Sequence, residues 1–329
     1  MLETESPPDA SSSWNGLRFR RDSGFAQFLE WIANSAAVVC IVGLLLRVTF
    51  QDRIPRLAVV YYMTPLIMLA VGYLGVAVVY WFRRKRRRAT WALVFAVLCS
   101  GWWLNSCVFL HASSDATPKM SALLWNTQRG AHSWLKIAEF IRAHDAPIIG
   151  LVEAAPIITN HHEFWNREFD DRTVVTFDHQ MVVMTQGEVI ATEQGVLHPG
   201  SFFGRVDLRL HSKTLTVFIV DIKSKAWGTH RANALNALKD RIASVTENPV
   251  MVLGDFNTPT DSAFFDTWRP SMRNAFEESG RGQSATWPRP LPVLSLDQIW
   301  LAGDIHSLTT RHLTSPYSDH QAVVTELTW

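Results

Sequence analysis

Three long apolar runs crowd the first third of this chain. They extend from Phe28 to Phe50, from Leu57 to Phe82 and from Ala89 to Leu110. Each reaches the ~20 residues a helix needs to cross a hydrocarbon core. The second carries no charge, and Pro65 within it is expected to kink the helix, a feature that membranes tolerate. Arg47 lies close to the end of the first run, where its stem is expected to snorkel to the interface. Tyr61, Tyr62, Trp81, Trp102 and Trp103 suit the aromatic belts at membrane faces. A cleaved signal peptide fits the first run poorly, because the run is long and two more follow. Three soluble core helices in succession fit less well. The expectation is three spans over residues 28–110, and thus a lipid bilayer as partner.

The loop Arg83-Arg84-Lys85-Arg86-Arg87-Arg88 sets the orientation. The positive-inside rule makes it cytoplasmic. A patch for anionic lipid or nucleic acid is the other reading of such a run. The polar, Arg-bearing residues 1–27 then form a flexible tail on the same side. An odd number of spans carries everything after position 110 to the opposite face, outside the cytoplasm. Net charge is +1 and decides nothing about partners, but every His lies at position 111 or later. Cys40, Cys99 and Cys107 all sit in the apolar part, so the remainder has no disulfide framework and no Cys-based zinc site.

Residues 111–119 read as a short polar linker. From 120 to 329 the texture changes to short apolar runs alternating with helical patterns, which predicts a mixed α and β domain. Strands are expected at Met120–Trp125, Ile148–Val152, Met181–Met184, Leu215–Val220, Val250–Leu253, Leu294–Leu301 and Gln321–Leu327. Helices are expected at Ser133–His144, with Ser133 as cap, and at Arg231–Thr246.

The strand ends are where chemistry gathers. LLWN closes a strand on Asn126, IIGLVE on Glu153, and VMVLGD on Asp255 with Asn257 just beyond. SLDQIWL holds Asp297 in an apolar stretch, and YSDHQAVV sets Asp319 and His320 before the last strand. Taken singly, each has a plain explanation as a turn residue or a solvated acid. Buried ionised acids are costly without a partner, so several brought together make sense around a hard divalent cation. Oxygen donors suit Mg²⁺, Mn²⁺ or Ca²⁺ rather than zinc.

WN, GLVE, GDFN, LDQIW and SDH, in this order and spacing, resemble the endonuclease/exonuclease/phosphatase superfamily, the DNase I-like phosphodiesterases. The resemblance covers about 120–329, and TWP at Thr286–Pro288 fits it too. Three N-terminal spans before such a domain resemble bacterial membrane-anchored members, which implies the inner (plasma) membrane. The resemblance implies a four-layer α/β sandwich and a Mg²⁺- or Mn²⁺-dependent hydrolase of phosphate esters. It implies Glu153 as main metal ligand, with Asn126 beside it and Asp319 nearby. It implies Asp255 as the group that orients and deprotonates water, and Asn257 as phosphate contact and support for Asp255. His320 would contact the scissile phosphate, its ring fixed by Asp297.

One strand departs from the family's pattern. Many members carry a His on a middle strand, where this chain reads VFIVDIKSK and Asp221 stands in its place. Lys223 takes the position if the register slips by two. Asp221 can act as a general acid only with a raised pKa, or else join a metal shell. Lys223 or Lys225 would restore positive charge at the phosphate, and Arg231 points to phosphate or starts a solvated helix. The substrate classes left open are nucleic acid, a phospholipid headgroup and a small phosphoester. The rival functions are a catalytically impaired binding or scaffold module, and a membrane component whose spans are the working part.

Overall fold

The computed structural model describes residues 24–112, 116–131, 133–156, 160–210, 212–225 and 229–329. Most of the expected tail at 1–27 therefore lies outside the described residues, as does part of the 111–119 linker.

The apolar third folds into α1 (Gly24–Val48), α2 (Ala58–Met63), α3 (Leu66–Phe82) and α4 (Arg86–Cys107). Pro65 does more than kink the second run. It lacks a donor N–H and splits the run into α2 and α3. Two helices, α1 and α4, are long and apolar enough to cross a membrane; α3 is shorter, at 17 residues. Leu69, Ala70, Tyr73, Val76, Ala77 and Tyr80 of α3 recur at helical spacing and pack against α1 and α4. The opposite faces stay apolar and uncovered. Among the described residues, only Leu135, Ile190, Val196 and Leu291 of the exposed large apolar side chains lie outside positions 25–110.

Helix α4 runs directly into β1 (Val108–Leu110) without a free spacer. The mixed α and β domain then follows as β2 (Met120–Asn126), α5 (Trp134–Arg142), β3 (Ile148–Val152), α6 (His161–Glu168), β4 (Thr173–Phe177) and β5 (Met181–Thr185). Next come β6 (Glu188–His198), β7 (Ser201–Leu210), β8 (Lys213–Asp221), α7 (His230–Ala243) and β9 (Val250–Asp255). The chain ends through β10 (Arg273–Asn274), α8 (Ala275–Ser279), β11 (Arg281–Gln283), β12 (Asp297–Ala302), β13 (His306–Leu313) and β14 (Ala322–Thr328).

Two six-stranded sheets result, ordered β13-β14-β2-β3-β5-β4 and β10-β12-β9-β8-β7-β6. Alternation along each strand sends one set of side chains between the sheets and the other outward. Ala122, Leu124, Val217, Ile219, Met251 and Ile299 fill the space between sheets. Leu123, Trp125 and Ile149 pack outward against α5 and α6, while Phe218, Val252 and Trp300 pack outward with α7. The architecture is the expected four layers. Ser133 caps α5, its hydroxyl accepting the Lys136 N–H. One expected strand shortens: residues 294–296 precede β12, where Leu296 N donates to the Thr286 hydroxyl instead of a ladder. β1 pairs with β11, so the end of α4 is stitched to the domain.

The two halves also meet through the turn between α1 and α2. Arg47 does not snorkel. It is buried, pairs with Asp261 at 2.6 Å, and donates to the Thr64 and Tyr61 carbonyl oxygens. Asp52 is fully buried and accepts from the Tyr62 hydroxyl, the Ser262 hydroxyl and the Ala263 N–H.

Candidate active site

Three acids stand in a row at the ends of adjacent strands. Asp221 on β8 and Asp255 on β9 are register partners in a parallel pair, and Asp255 faces Asp297 across the antiparallel β9–β12 pair. Gly254 permits this closeness, since a Cβ there would lie 2.0 Å from the Val220 carbonyl oxygen. The other sheet supplies Asn126 at the end of β2 and Glu153 just past β3.

Asn126 bridges the sheets. Its amide nitrogen donates to Asp255 Oδ2 at 3.0 Å, and its amide oxygen accepts the Gln128 N–H. Asp255 Oδ1 accepts the Asn257 N–H at 2.8 Å, and the Asn257 amide donates to the Ile222 carbonyl. Asp255 is thus held from both sides. Glu153 and Asn257 both adopt positive φ, at 54° and 47°. Asn tolerates that region; for Glu it costs about 1 kcal/mol and concentrates strain where chemistry would occur.

His320 Nδ1 lies 2.7 Å from Asp297 Oδ2, so the carboxylate fixes the ring. The short motifs support one another. The Ser318 hydroxyl donates to the Asn126 carbonyl and accepts the His320 N–H, while the Trp125 indole donates to the His320 carbonyl. In TWP, the Thr286 hydroxyl accepts the Asp297 N–H, and the Trp287 indole donates to Asp319 Oδ2.

Glu153, Asp221, Asp255, Asn257 and His320 share the wall of a cavity of about 470 Å³. Lys223 and Arg231 also line it. Asn126 and Asp297 are buried behind that wall, and the partly exposed Asp319 holds the indole of Trp287, itself a wall residue. Lys223 is exposed at the rim, two residues beyond Asp221, whereas Arg231 is buried at the start of α7. Two wall residues fall outside the expected site set, and one of them, Tyr62, is buried against the mixed α and β domain rather than in a membrane-face belt. Arg129 reaches Glu153 with Nε 3.3 Å from Oε2, and Tyr62 arrives from the helical segment.

The electrostatics are those of crowded acids. Burial pushes the Asp221 carboxyl up to about 8, and the charges of Asp255 and Glu153 push the same way. Burial, then the Asp297 charge, also raises Asp255. Burial alone would lower the His320 imidazole, but Asp297 outweighs it, helped by Asp255 and Asp319, and lifts the ring to about 9. His320 is therefore a cation at neutral pH, able to meet a phosphate oxygen or donate a proton.

These residues fit a hard divalent cation. The donors are oxygens, the acids repel one another, and Asp297 Oδ1 and Asp319 Oδ1 are buried without a hydrogen-bond partner among the described residues. Asp255, Asp297 and His320 also place ligand-type atoms within 4.8 Å of one another. The His320–Asp297 hydrogen bond already accounts for much of that closeness.

Two packed sheets with acids, amides and an Asp–His pair around one cavity define a DNase I-like phosphoesterase fold. The chain belongs to the endonuclease/exonuclease/phosphatase family, whose model matches residues 123–320. The N-terminal helices lie outside that match and are an addition to the family's domain. Solved structures agree at the level of fold. A humanized D. rerio TDP2 is 12% identical, with a TM-score of 0.55 over 64% of this chain and 99% of that one. A mannosyl-6-phosphatase of Bacteroides thetaiotaomicron is 12% identical, with a TM-score of 0.53 over 64% of this chain and 100% of that one. The human Nocturnin catalytic domain with bound sulfate is 16% identical, with a TM-score of 0.53 over 64% of this chain and 93% of that one. Among curated proteins, none matches this chain in sequence.

Proposed function

We propose that this chain is a membrane-anchored, divalent-metal-dependent phosphodiesterase. The observation that carries the reading is the shared cavity of Asp255, held by Asn126 and Asn257, and His320, held by Asp297. Asp255 orients a water and takes its proton. The His320 cation contacts the scissile phosphate and supplies charge or a proton to the leaving oxygen. Asn257 contacts the phosphate, and Lys223 and Arg231 add positive charge to the wall. Glu153, with Asn126 and Asp319 nearby, would hold Mg²⁺ or Mn²⁺. Such an ion, when bound, neutralises phosphate charge and lowers the pKa of water.

In this reading, residues 28–110 cross the membrane three times, with α3 as the short middle span. Seventeen residues at 1.5 Å each reach about 26 Å, which suffices for a thin core. Arg83 to Arg88 then face the cytoplasm, and the hydrolase domain, spanning about 120–329, faces outward. Support comes from the uncovered apolar faces of the helices.

The test uses the full chain in detergent, with bis(p-nitrophenyl) phosphate and either Mg²⁺, Mn²⁺, Ca²⁺ or a chelator. Turnover that needs the cation and disappears in Asp255→Ala and His320→Ala is expected. A folded chain inactive with every cation would instead favour a binding module, a reading that the crowded Asp221 keeps specific.

A further inference from the structure

Tyr62 belongs to the helical segment, yet it lines the catalytic cavity. Its position is built. Its hydroxyl donates to the buried Asp52 carboxylate at 2.7 Å, and that carboxylate also takes the Ser262 hydroxyl and the Ala263 N–H. Arg47, in the last turn of α1, pairs with Asp261, only four positions after Asn257. The loop that follows the Asp255-Phe256-Asn257 motif is therefore clamped to the helix ends.

The Arg231 guanidinium stacks on the Tyr62 ring, 4.4 Å from its centroid. One guanidinium nitrogen donates to the Ser224 carbonyl, while Nε is buried without a hydrogen-bond partner among the described residues. A cation stacked on an aromatic ring is preorganised to receive a phosphate or its ester oxygen.

The cavity also lies at the level of the helix ends. Pro259 lines it on one side, and on the other lines a small cavity with Pro65, Leu66, Trp103 and Cys107, the residues where α3 begins and α4 ends. Leu294, which lines both cavities, together with Leu296 and Trp287 makes part of the catalytic wall apolar. A polar floor with an apolar side next to the membrane segment matches an amphiphile whose phosphate goes in while its chains stay in the bilayer.

We propose that Tyr62 and Arg231 form a substrate subsite that the membrane segment completes, and that the phosphoester it takes is carried by a membrane lipid. This rests on the reading of the cavity as a phosphoesterase site. Tyr62 is the specificity-determining residue: its ring holds Arg231 at the cavity wall, on the side supplied by the helical segment.

The experiment uses the full chain reconstituted in mixed phosphatidylglycerol and phosphatidylcholine vesicles with Mg²⁺ or Mn²⁺. Phosphatidylglycerol cleavage is compared with hydrolysis of bis(p-nitrophenyl) phosphate and of a single-stranded oligonucleotide. The expected result is lipid turnover, with kcat/KM in Tyr62→Ala falling at least ~10-fold further for the lipid than for the soluble diester. Tyr62→Phe, which keeps the ring and loses the bond to Asp52, should recover most of that loss. Equal losses on both substrates, or a Phe variant as damaged as Ala, would reduce Tyr62 to a structural strut and overturn the subsite. Oligonucleotide or soluble-diester turnover without lipid turnover would overturn the lipid assignment and leave the hydrolase intact. No turnover of any substrate would remove the hydrolase reading, and this one with it.

Discussion

Asp221 and Asp255 are cross-strand partners at the ends of two parallel strands, so two carboxyls face one cavity from neighbouring positions. Two like charges that close cannot both ionise at little cost, and burial adds to the penalty. Three ways exist to relieve it: a proton on Asp221, a cation between the acids, or a different residue at 221.

The third way gives the first prediction. Asp221→His should preserve or raise phosphodiesterase turnover relative to the unmodified chain, because an imidazole there adds donor capacity and removes a negative charge. The check is kcat/KM on a soluble diester at saturating Mg²⁺ or Mn²⁺. Complete loss of turnover in a folded Asp221→His chain would mean that the Asp221 carboxyl itself is required, as a metal ligand or an acid.

A second prediction concerns His320 and Asp297. The folded imidazole is held at about 9, so turnover that needs its proton should fall as pH rises through about 9. Asp297→Asn removes the charge that outweighs burial, and the alkaline limb should move down by more than a pH unit. Loss of a positioned general acid typically lowers rate ~10²–10⁴-fold. A pH–rate profile with an unmoved limb in Asp297→Asn would show that another group sets it.

The same pair and Asp221 shape stability when the cation is stripped. Asp221 holds its proton up to about 8, whereas an unfolded Asp releases it near ~4, so its contribution declines as pH rises between those values. His320 binds its proton more tightly folded than unfolded, so its contribution is full below ~6.5 and is lost as pH rises through about 9. Both slopes have one sign. In chelator, Tm should fall from pH 6 to pH 9 by several degrees (~4 °C per kcal/mol at most for a domain of this size). Added Mg²⁺ should stabilise more at the alkaline end, where the acids are ionised. A chelated chain with flat or rising Tm across that range would contradict the crowding.

The motifs at the strand ends were legible because each pairs a strand's apolar period with a polar residue where the strand must stop. Asn126, Glu153 and Asp255 fall at such stops, His320 falls just before the last strand starts, and the structure brings them together. The helix at Trp134–Arg142 was legible from its cap and its apolar spacing. β6 was not, because its mostly exposed, polar run looks like loop until it pairs along its length with β7, and β7 was passed over although Val206, Leu208 and Leu210 alternate with charged residues as a half-buried strand does. Arg129 and Tyr62 fell outside the expected site set for another reason. Each reaches the cavity through backbone or tertiary placement: Arg129 through a positive φ of 52°, Tyr62 through the Asp52 clamp. Arg47 was misread for the same cause, since snorkelling is its fate only where nothing else offers a carboxylate, and Asp261 does.

That clamp supports the last prediction. Asp52 is completely buried and satisfies three donors at once: the Tyr62 and Ser262 hydroxyls and the Ala263 N–H. Asp52→Ala leaves those donors without their acceptor, at about 1–3 kcal/mol for each one that water cannot reach. The cost should fall locally, since Ser262 and Ala263 lie in the loop that follows Asn257. Amide exchange at Ala263 and Phe264 should accelerate ~10-fold or more, while amides in the β2–β3 pair keep their protection. Because Asn257 supports Asp255 from the same loop, kcat should drop more than substrate affinity. Unchanged exchange at Ala263 would show that the Arg47–Asp261 pair alone fastens the loop, and Arg47→Ala would then be the variant that frees it.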